Sequence, residues 1–327
     1  MIKFSRRRRS LGKPTTRPNS VPSSTHFRDP SSPAAEPSRV REYLAAKAEA
    51  VGKALDAYLP PPDAADRGIA EAMRYTALSP GKRIRPVVLL AVAESYSAPA
   101  SRSMPTACAM EMVHACSLIL DDLPCMDDAE LRRGRPTSHR VYGEDRAVLA
   151  AFGLLNLAYG IVAADPSLSD ELRTGVASLL SEALGTQGLI GGQALDLTPS
   201  PAGRNLHELE QIHSRKTGSL FIASVELGAL LGKAPEAERQ ALIQFAKNLG
   251  LAYQIVDDLL DATSEAGATG KDSHRDRRGN FVSLSGVEGA RRLAEELSDC
   301  ALDHLTILGA RGALLRGLAL HLTGRTR

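Results

Sequence analysis

Residues 111–137 have the sequence EMVHACSLILDDLPCMDDAELRRGRPT, in which an apolar segment runs directly into acidic and then basic residues. The apolar side chains recur at the spacing of one helix face, at Met112, Val113, Cys116, Ile119 and Leu120. Pro124 cannot continue a regular helix, so the helix is expected to end near the first acidic pair. This segment predicts a buried α-helix whose last turn carries carboxylates.

The same arrangement occurs a second time near the other end of the chain. Residues 254–261, QIVDDLLD, again place two adjacent aspartates at the end of an apolar helical segment. Alternating β-branched runs are missing from Arg39 onward, and Pro and Gly divide this region into about ten helical segments. We predict an all-α fold with a single large domain over residues 39–327.

The charge of the 327-residue chain is unevenly distributed. Hydrophobic residues make up 43% and charged residues 24%, an ordinary balance for a globular protein. Residues 1–41 carry ten Lys and Arg against two acids, whereas the remainder has six more acids than bases. Residues 1–38 are rich in Ser, Pro and Arg with few large apolar groups, and they are predicted to be a disordered basic tail.

The composition argues against several classes of protein. Trp is absent and aromatic residues make up 4%, which disfavours a base-stacking surface, so no nucleic-acid partner is expected. An alternative in which the arginine-rich tail binds nucleic acid rests on residues 1–41 alone. The four cysteines form no C-x-x-C pair, which disfavours a zinc site or a disulfide framework. We expect a cytoplasmic protein.

Residues 148–164 form the longest apolar segment, with Asn156 as its one polar member. Seventeen residues is at the lower limit for a membrane-spanning helix. Charged residues flank the segment, and it contains two glycines and five alanines. We interpret it as a helix buried on all sides, and expect no stable insertion into a membrane.

The acidic motifs are the clearest indication of chemistry. Six aspartates form them, Asp121, Asp122 and Asp127 as D-D-x-x-x-x-D and Asp257, Asp258 and Asp261 as D-D-x-x-D. Carboxylate clusters without His or Cys suit a hard cation, and Mg²⁺ is usually held by one or two carboxylates together with waters and phosphates. The alternative, a solvated acidic helix end, explains one such motif better than two within apolar helices.

Basic residues accompany both acidic motifs. Lys82 and Arg85 lie three positions apart at a predicted helix start, where one anion can contact both. Arg132 and Arg133 follow the first motif, and His114 lies two helical turns before it. Cations beside carboxylate-held metal are typical of a diphosphate site, since guanidinium groups match phosphate geometry.

These motifs together resemble the trans-isoprenyl diphosphate synthases, the polyprenyl synthetase family. Residues 111–137 resemble the first aspartate-rich region of that family, and the order of all the motifs follows it over about residues 40–327. The remaining motifs are Gly81–Pro86, Gly192-Gln193, Lys216-Thr217-Gly218, Gln254–Asp261 and Gly270-Lys271. Within the family, residues 80–83 and 118–126 are most similar to bacterial geranylgeranyl diphosphate synthases.

The resemblance implies a role for each matched residue. Isopentenyl diphosphate would be bound by Lys82, Arg85, His114 and Arg133. The allylic diphosphate would be bound by Arg132, Lys216, Thr217, Gln254 and Lys271. Magnesium, with three ions per active site, would be held mainly by Asp121, Asp127 and Asp257, with support from Asp122, Asp258 and Asp261.

The resemblance also implies the reaction and the architecture. The reaction is a magnesium-dependent, head-to-tail condensation of isopentenyl diphosphate with an allylic diphosphate. Its catalytic residues would be Asp121, Asp122, Asp127, Lys216, Asp257 and Asp258. The implied structure has ten or more helices around a central cavity, and a homodimer is expected.

Product length should depend on the depth of the apolar pocket. Family members that stop at fifteen carbons tend to have an aromatic residue near the position of Cys116. Cys116 and Ser117 are both small, so geranylgeranyl diphosphate with twenty carbons is the expected product. Farnesyl diphosphate, with fifteen, is the alternative.

One position departs from the family pattern. The family has a second lysine shortly after the position of Lys271, where this chain has Asn280, and Arg277 or Arg278 would have to replace its charge. A non-catalytic regulatory subunit is disfavoured because no aspartate is lost from either motif. A terpene cyclase, which would ionise a similar substrate, is disfavoured by the Gly81–Pro86 motif.

Overall fold

Helices account for nearly all of the regular structure in the computed structural model, which describes residues 33–62, 64–200, 203–263 and 279–324. The first seven helices are α1 (Pro37–Tyr58), α2 (Ile69–Ala77), α3 (Ile84–Ser95), α4 (Ala100–Asp121), α5 (Ser138–Tyr142), α6 (Glu144–Ala164) and α7 (Asp170–Leu184). The other six are α8 (Leu189–Leu197), α9 (Leu206–His213), α10 (Ser219–Leu231), α11 (Glu236–Thr263), α12 (Phe281–His304) and α13 (Ala313–Thr323). The predicted all-α fold is confirmed.

A short 3-10 helix (Ala64–Asp66) between α1 and α2 and three further short elements complete the described structure. Strands β1 (Leu131–Arg132) and β2 (Arg135–Pro136) form a small antiparallel hairpin between α4 and α5. A π-helical turn (Ser214–Gly218) joins α9 to α10, and a 3-10 turn (Thr306–Gly312) precedes α13. Such π-helical turns are rare and are frequently found at functional sites.

Helix α4 lies at the centre of the larger hydrophobic core. Fourteen of its residues, from Ser103 to Ile119, are buried, and it packs against α3, α6 and α10. Its many Ala, Ser, Cys and Met residues are small or flexible enough for neighbouring helices to approach from several sides. The predicted helix over residues 111–121 is therefore the C-terminal half of a longer buried helix.

Helices α3 and α10 separate the larger core from a second one. On α3, Leu89 and Leu90 face the larger core, whereas Val88 and Val92 face the core formed with α11, α12 and α13. The two helices approach closely at Gly228, where a Cβ atom would lie 2.5 Å from the carbonyl oxygen of Leu89. Glycine at this crossing lets the two backbones touch, which places the N-terminal end of α3 beside that of α10.

Helix α6 differs from the prediction that it is buried on all sides. Leu149 and Phe152 are exposed, because only one side of α6 packs against α2, α4 and α7. By length and composition, α4 and α6 could each cross a membrane. Of the most apolar 18-residue segment in each helix, 78% is buried in α4 but only 39% in α6. The apolar sequence of α6 therefore serves a core on one side and leaves an apolar surface on the other.

The predicted end of the basic tail, residue 38, falls two residues inside the first helix. Helix α1 begins at Pro37, because proline is well suited to the first turn of a helix, where its missing N–H is not needed. Residues 1–32 lie outside the described residues.

A pair of matched glycine substitutions tests the close crossing of α3 and α10. Gly228→Ala should lower the free energy of unfolding by about 1–3 kcal/mol, because the added methyl overlaps the α3 backbone. Gly52→Ala, in α1 where a Cβ meets nothing within 4 Å, should instead raise it by up to about 1 kcal/mol through helix propensity. Denaturant unfolding followed by circular dichroism measures both, and equal effects would contradict the close crossing.

Candidate active site

The segment that leads into α3 is held by a buried ion pair. Arg83, the residue before the helix, has a left-handed backbone with φ 49°, which is strained for a residue other than glycine. Its guanidinium lies 2.5 Å from the carboxylate of Glu111 on α4 and donates a hydrogen bond to the carbonyl of Ser79 at 2.8 Å. Both side chains are buried, and the pair stabilises the turn that presents Lys82 and Arg85 on either side of it.

A cavity of about 570 Å³ opens beside this turn. Four of the residues predicted to bind isopentenyl diphosphate line it together, namely Lys82, Arg85, His114 and Arg133. Thr217, Tyr253 and Asp257 line its other side. The structure therefore brings residues from α3, α4, the hairpin, the π-helical turn and α11 to one cavity.

Arg85 is a partly buried cation of the cavity, and in the described part of the chain it has no carboxylate bonded to it. Its guanidinium hydrogen-bonds to His114 Nε2 at 3.2 Å, and its Nε has no hydrogen-bond partner among the described residues. Burial lowers the pKa of Arg85, with Arg133 lowering it further while Glu111 and Asp257 oppose the shift. A guanidinium removed from water without a carboxylate on it favours the binding of an anion.

His114 is neutral in this environment. Burial lowers its pKa well below the usual value, and the charges of Arg85 and Arg133 lower it further. Arginine can only donate, so His114 accepts at Nε2 and carries its proton on Nδ1. His114 thus orients Arg85 without adding a second positive charge.

The hairpin places Arg133 over the same cavity. Arg133 has φ 53° and donates to the carbonyl of Pro80 at 3.1 Å. A Cβ atom at Gly81 would overlap its guanidinium, so a larger residue there would displace the Arg133 side chain from this position. Tyr75 on α2 supports the hairpin by donating to the carbonyl of Pro136 at 2.8 Å, while its ring contacts the guanidinium of Arg135.

The first aspartate motif folds back on itself after α4. The helix ends at Asp121, and the N–H of Asp127 donates to the carbonyl of Asp121 at 3.0 Å, so the turn around Pro124 brings the two aspartates together. Asp122 is buried and accepts from Arg132 Nε through both carboxylate oxygens, at 2.8 and 2.7 Å. Arg132 is therefore tied to the acidic motif, while Arg133 lines the cavity.

The electrostatics of this motif suit a cation. The pKa of Asp121 is raised to about 6, mainly by burial and in addition by the negative charges of Asp127 and Asp122. Lys216 and Arg132 oppose that shift. A cation bound between Asp121 and Asp127 would relieve the repulsion, so the residues present fit the predicted magnesium.

The second aspartate motif has the same division of roles. Asp258 is buried, accepts from Gln254 Nε2 at 3.0 Å and accepts from the backbone N–H of Phe281 at 3.1 Å. Burial raises its pKa, and these two hydrogen bonds oppose the shift. Asp257 lines the cavity and Asp261 is exposed at the end of α11.

Each aspartate pair therefore has one member bonded to the protein and one beside the site. Within the four described ranges, no three His, Cys, Asp or Glu side chains are close enough to hold a metal on their own. Asp121, Asp127 and Asp257 would have to share each magnesium with phosphate oxygens, as this ion commonly requires.

The π-helical turn carries Lys216 and Thr217 and is held from two sides. Thr217 Oγ1 donates to Gln254 Oε1 at 3.2 Å, which leaves the Gln254 amide group to donate to Asp258. Lys216 Nζ donates to Asp196 Oδ2 on α8 at 2.8 Å. Sequence analysis did not single out Asp196, although an acid in the apolar segment 189–197 was a signal for it.

The remaining predicted residues are placed as follows. Cys116 and Ser117 are buried in α4, one turn before Asp121, and the Ser117 hydroxyl bonds back to the carbonyl of His114. Asn280 caps α12 in a reciprocal pair of hydrogen bonds with Ser283, so its side chain serves the helix end. Lys271, Arg277 and Arg278 lie outside the described residues.

Comparisons with known proteins agree with this site. The family model for polyprenyl synthetase matches residues 66–305. The chain is 42% identical over 272 residues to the heterodimeric geranylgeranyl pyrophosphate synthase large subunit 1, chloroplastic, of Arabidopsis thaliana, covering 80% of this chain and 73% of that protein. It is 40% identical over 283 residues to the chloroplastic geranylgeranyl pyrophosphate synthase of Capsicum annuum, covering 85% and 76%.

Solved structures show the same fold. The crystal structure of an FPP/GFPP synthase from Zymomonas mobilis has a TM-score of 0.80 and 33% identity, and the match covers 88% of this chain and all of that one. The geranylgeranyl relatives named above are plant proteins, whereas the sequence motifs were most similar to bacterial members. The family model and these relatives, together with the paired aspartates and the arginine-lined cavity, show that the chain belongs to the polyprenyl synthetase family of prenyltransferases.

Proposed function

We propose that this protein condenses isopentenyl diphosphate with allylic diphosphates, with magnesium, and that its main product is geranylgeranyl diphosphate. The observation that carries the proposal is a single cavity lined by Lys82, Arg85 and Arg133 together with Asp257. The cations bind a diphosphate directly, and the aspartate binds one through metal ions. The cavity thus suits two diphosphates held side by side.

The residues of the chain divide the work of binding between two diphosphates. Lys82, Arg85 and Arg133 bind isopentenyl diphosphate, and neutral His114 holds Arg85 in place. Lys216 and Thr217, on the π-helical turn, bind the allylic diphosphate near Asp121 and Asp257. Magnesium ions, when bound, stabilise the negative charge that develops on the leaving diphosphate.

The apolar helices around the site protect the reaction from water. An allylic carbocation is hydrolysed unless water is excluded. Helix α4 is buried along most of its length below Asp121, and its Cys116 thiol is neutral because burial raises its pKa to about 11. The wall below the aspartates is therefore uncharged.

The small residues on that wall favour a long product. Each added CH₂ contributes about 0.8 kcal/mol when buried, so growth continues until a side chain blocks the pocket. Cys116 and Ser117 are small, buried residues of α4 outside the lining of the described cavity, and a bulkier side chain at either position would narrow an apolar pocket that extends below Asp121. Farnesyl diphosphate is the alternative product, and the similar Zymomonas protein is named as an FPP/GFPP synthase.

We also propose a homodimer that buries the exposed face of α6. Leu149 and Phe152 are 55% and 63% exposed on a helix that is otherwise apolar, and such a surface is typical of an interface. One similar Arabidopsis protein is named as a subunit of a heterodimer, so a different partner is the alternative.

An assay with defined substrates tests the proposed reaction. Purified protein with Mg²⁺, isopentenyl diphosphate and an allylic diphosphate of five, ten or fifteen carbons should give a twenty-carbon product, sized by chromatography. Asp257→Asn should reduce kcat about a hundredfold or more, as expected for loss of transition-state charge stabilisation. Glu210→Gln, on the exposed side of α9, is the control and should leave kcat unchanged. No elongation with any primer would contradict the proposal.

Enlarging Cys116 should shorten the product. Cys116→Phe should shift the main product from twenty to fifteen carbons, because the larger ring would project into the path of the growing chain one turn before Asp121. Cys116→Leu, a smaller change, should give a mixture of the fifteen- and twenty-carbon products. It keeps the test decisive if Cys116→Phe fails to fold. Cys300→Phe, at an exposed position on α12, is the control. Product lengths unchanged in both Cys116 variants would show that this position does not limit the chain.

The mass of the protein in solution tests the α6 interface. Sedimentation at micromolar concentration should give twice the chain mass of 34.8 kDa. Phe152→Asp should shift the protein toward the monomer, because a charge is costly within an apolar interface. Ile307→Asp, at an equally exposed apolar position on the 3-10 turn, should not. A wild-type monomer, or a dimer unaffected by Phe152→Asp, would contradict the proposed interface.

A further inference from the structure

Lys216 needs a partner to have a defined position. A lysine side chain is long and flexible, and its ammonium can take many positions unless another group holds it. The ammonium of Lys216 donates to Asp196 Oδ2 at 2.8 Å, and both side chains are largely buried. This contact joins the π-helical turn to α8, twenty residues earlier in the chain.

Asp196 is itself held in one orientation. Arg204 donates to Asp196 Oδ1 at 3.0 Å, so each of the two cations contacts a different oxygen of the carboxylate. Arg204 is buried and also donates to the carbonyls of Leu195 and Thr198 at the end of α8, at 3.3 and 3.4 Å. The carboxylate thus cannot rotate without breaking contacts at the helix end.

The backbones that carry the pair are in direct contact. A Cβ atom at Gly192, one helical turn before Asp196, would overlap the backbone nitrogen of Lys216. Helix α8 therefore packs on the π-helical turn without an intervening side chain. Both ends of the Asp196–Lys216 contact start from this close packing, which fixes the distance between them.

Lys216 is near the first aspartate motif as well as bonded to Asp196. Its positive charge is close enough to Asp121 to lower the pKa of that carboxyl. The ammonium is thus placed at the acidic end of the site, where the allylic diphosphate is proposed to bind.

We propose that Asp196 is a positioning residue, which holds the Lys216 ammonium ready for the allylic diphosphate and has no corresponding effect on isopentenyl diphosphate. This inference rests on the proposed function. The structural alternative is that Asp196 only joins α8 to the rest of the fold through Arg204.

A double-mutant cycle separates these two roles. Asp196→Asn keeps the shape of the side chain and removes its charge, and Lys216→Gln removes the ammonium. Asp196→Asn alone should raise KM for the allylic diphosphate about tenfold, as for loss of a charged hydrogen bond, and change KM for isopentenyl diphosphate less than about twofold. In the Lys216→Gln background the same change should have no further effect.

Two further measurements complete the test. Binding of inorganic diphosphate in the presence of Mg²⁺ can be measured by calorimetry. Asp196→Asn should weaken this binding when Lys216 is present and should have no effect in the Lys216→Gln background. Asp170→Asn, which removes the charge of an exposed ion pair with Arg173, is the control and should change neither KM. Thermal unfolding should show the same midpoint for Asp196→Asn and wild type within a few degrees.

Three results would overturn the inference. They are equal increases in both KM values, additive losses in the double variant, and a fall in the unfolding midpoint of Asp196→Asn that accounts for its loss of activity. A wild-type protein that forms no product would contradict the proposed function, whereas the diphosphate-binding cycle would still decide the role of Asp196.

Discussion

The burial of the Arg85 guanidinium is the constraint on which the site depends. Removing such a group from water has a large free-energy cost unless a negative charge compensates it. The one buried carboxylate nearby, Glu111, is paired with Arg83, and the direct partner of Arg85 is a neutral histidine. The positive wall of the cavity is therefore left to be neutralised by a ligand, and the Arg83–Glu111 pair keeps that wall in place.

On the acidic side of the site, adjacent aspartates repel each other, so negative charge has to be compensated there. In each pair the structure assigns the second member to the protein itself. Asp122 is neutralised by Arg132, and Asp258 accepts from Gln254 and from the first N–H of α12. The first members, Asp121 and Asp257, remain beside the site, where a bound metal ion would reduce the remaining repulsion. Each pair thus places an aspartate bonded to the protein next to one proposed to bind the metal.

The helical frame holds these charges at fixed distances. Close backbone contacts at Gly228 and Gly192 join α10 to α3 and α8 to the π-helical turn, so the turn with Lys216 and Thr217 cannot move independently. Polar contacts from Thr217 through Gln254 to Asp258 extend this rigidity to α12. The result is a site whose ligand-binding side chains come from helices far apart in sequence but are held by one continuous packing arrangement.

The sequence by itself determined the all-α fold, the two aspartate motifs and the family of the protein. Helical periodicity and the spacing of charged residues are local properties, so they can be read along a single segment such as 111–137. The family resemblance also grouped Lys82, Arg85, His114 and Arg133 as binding one diphosphate, and the structure places all four around one cavity.

Only the tertiary structure decided which groups face each other across helices. The contact of Asp196 with Lys216, the pairing of Arg83 with Glu111, the capping role of Asn280 and the exposed face of α6 were all missed or misjudged from the sequence. The Asn280 cap is local, since its partner Ser283 belongs to the same helix. The other three depend on how helices distant in the chain pack together. Periodicity reports that a helix has an apolar face, but the neighbours that cover it, and the partner that neutralises each charge, are set by the three-dimensional packing.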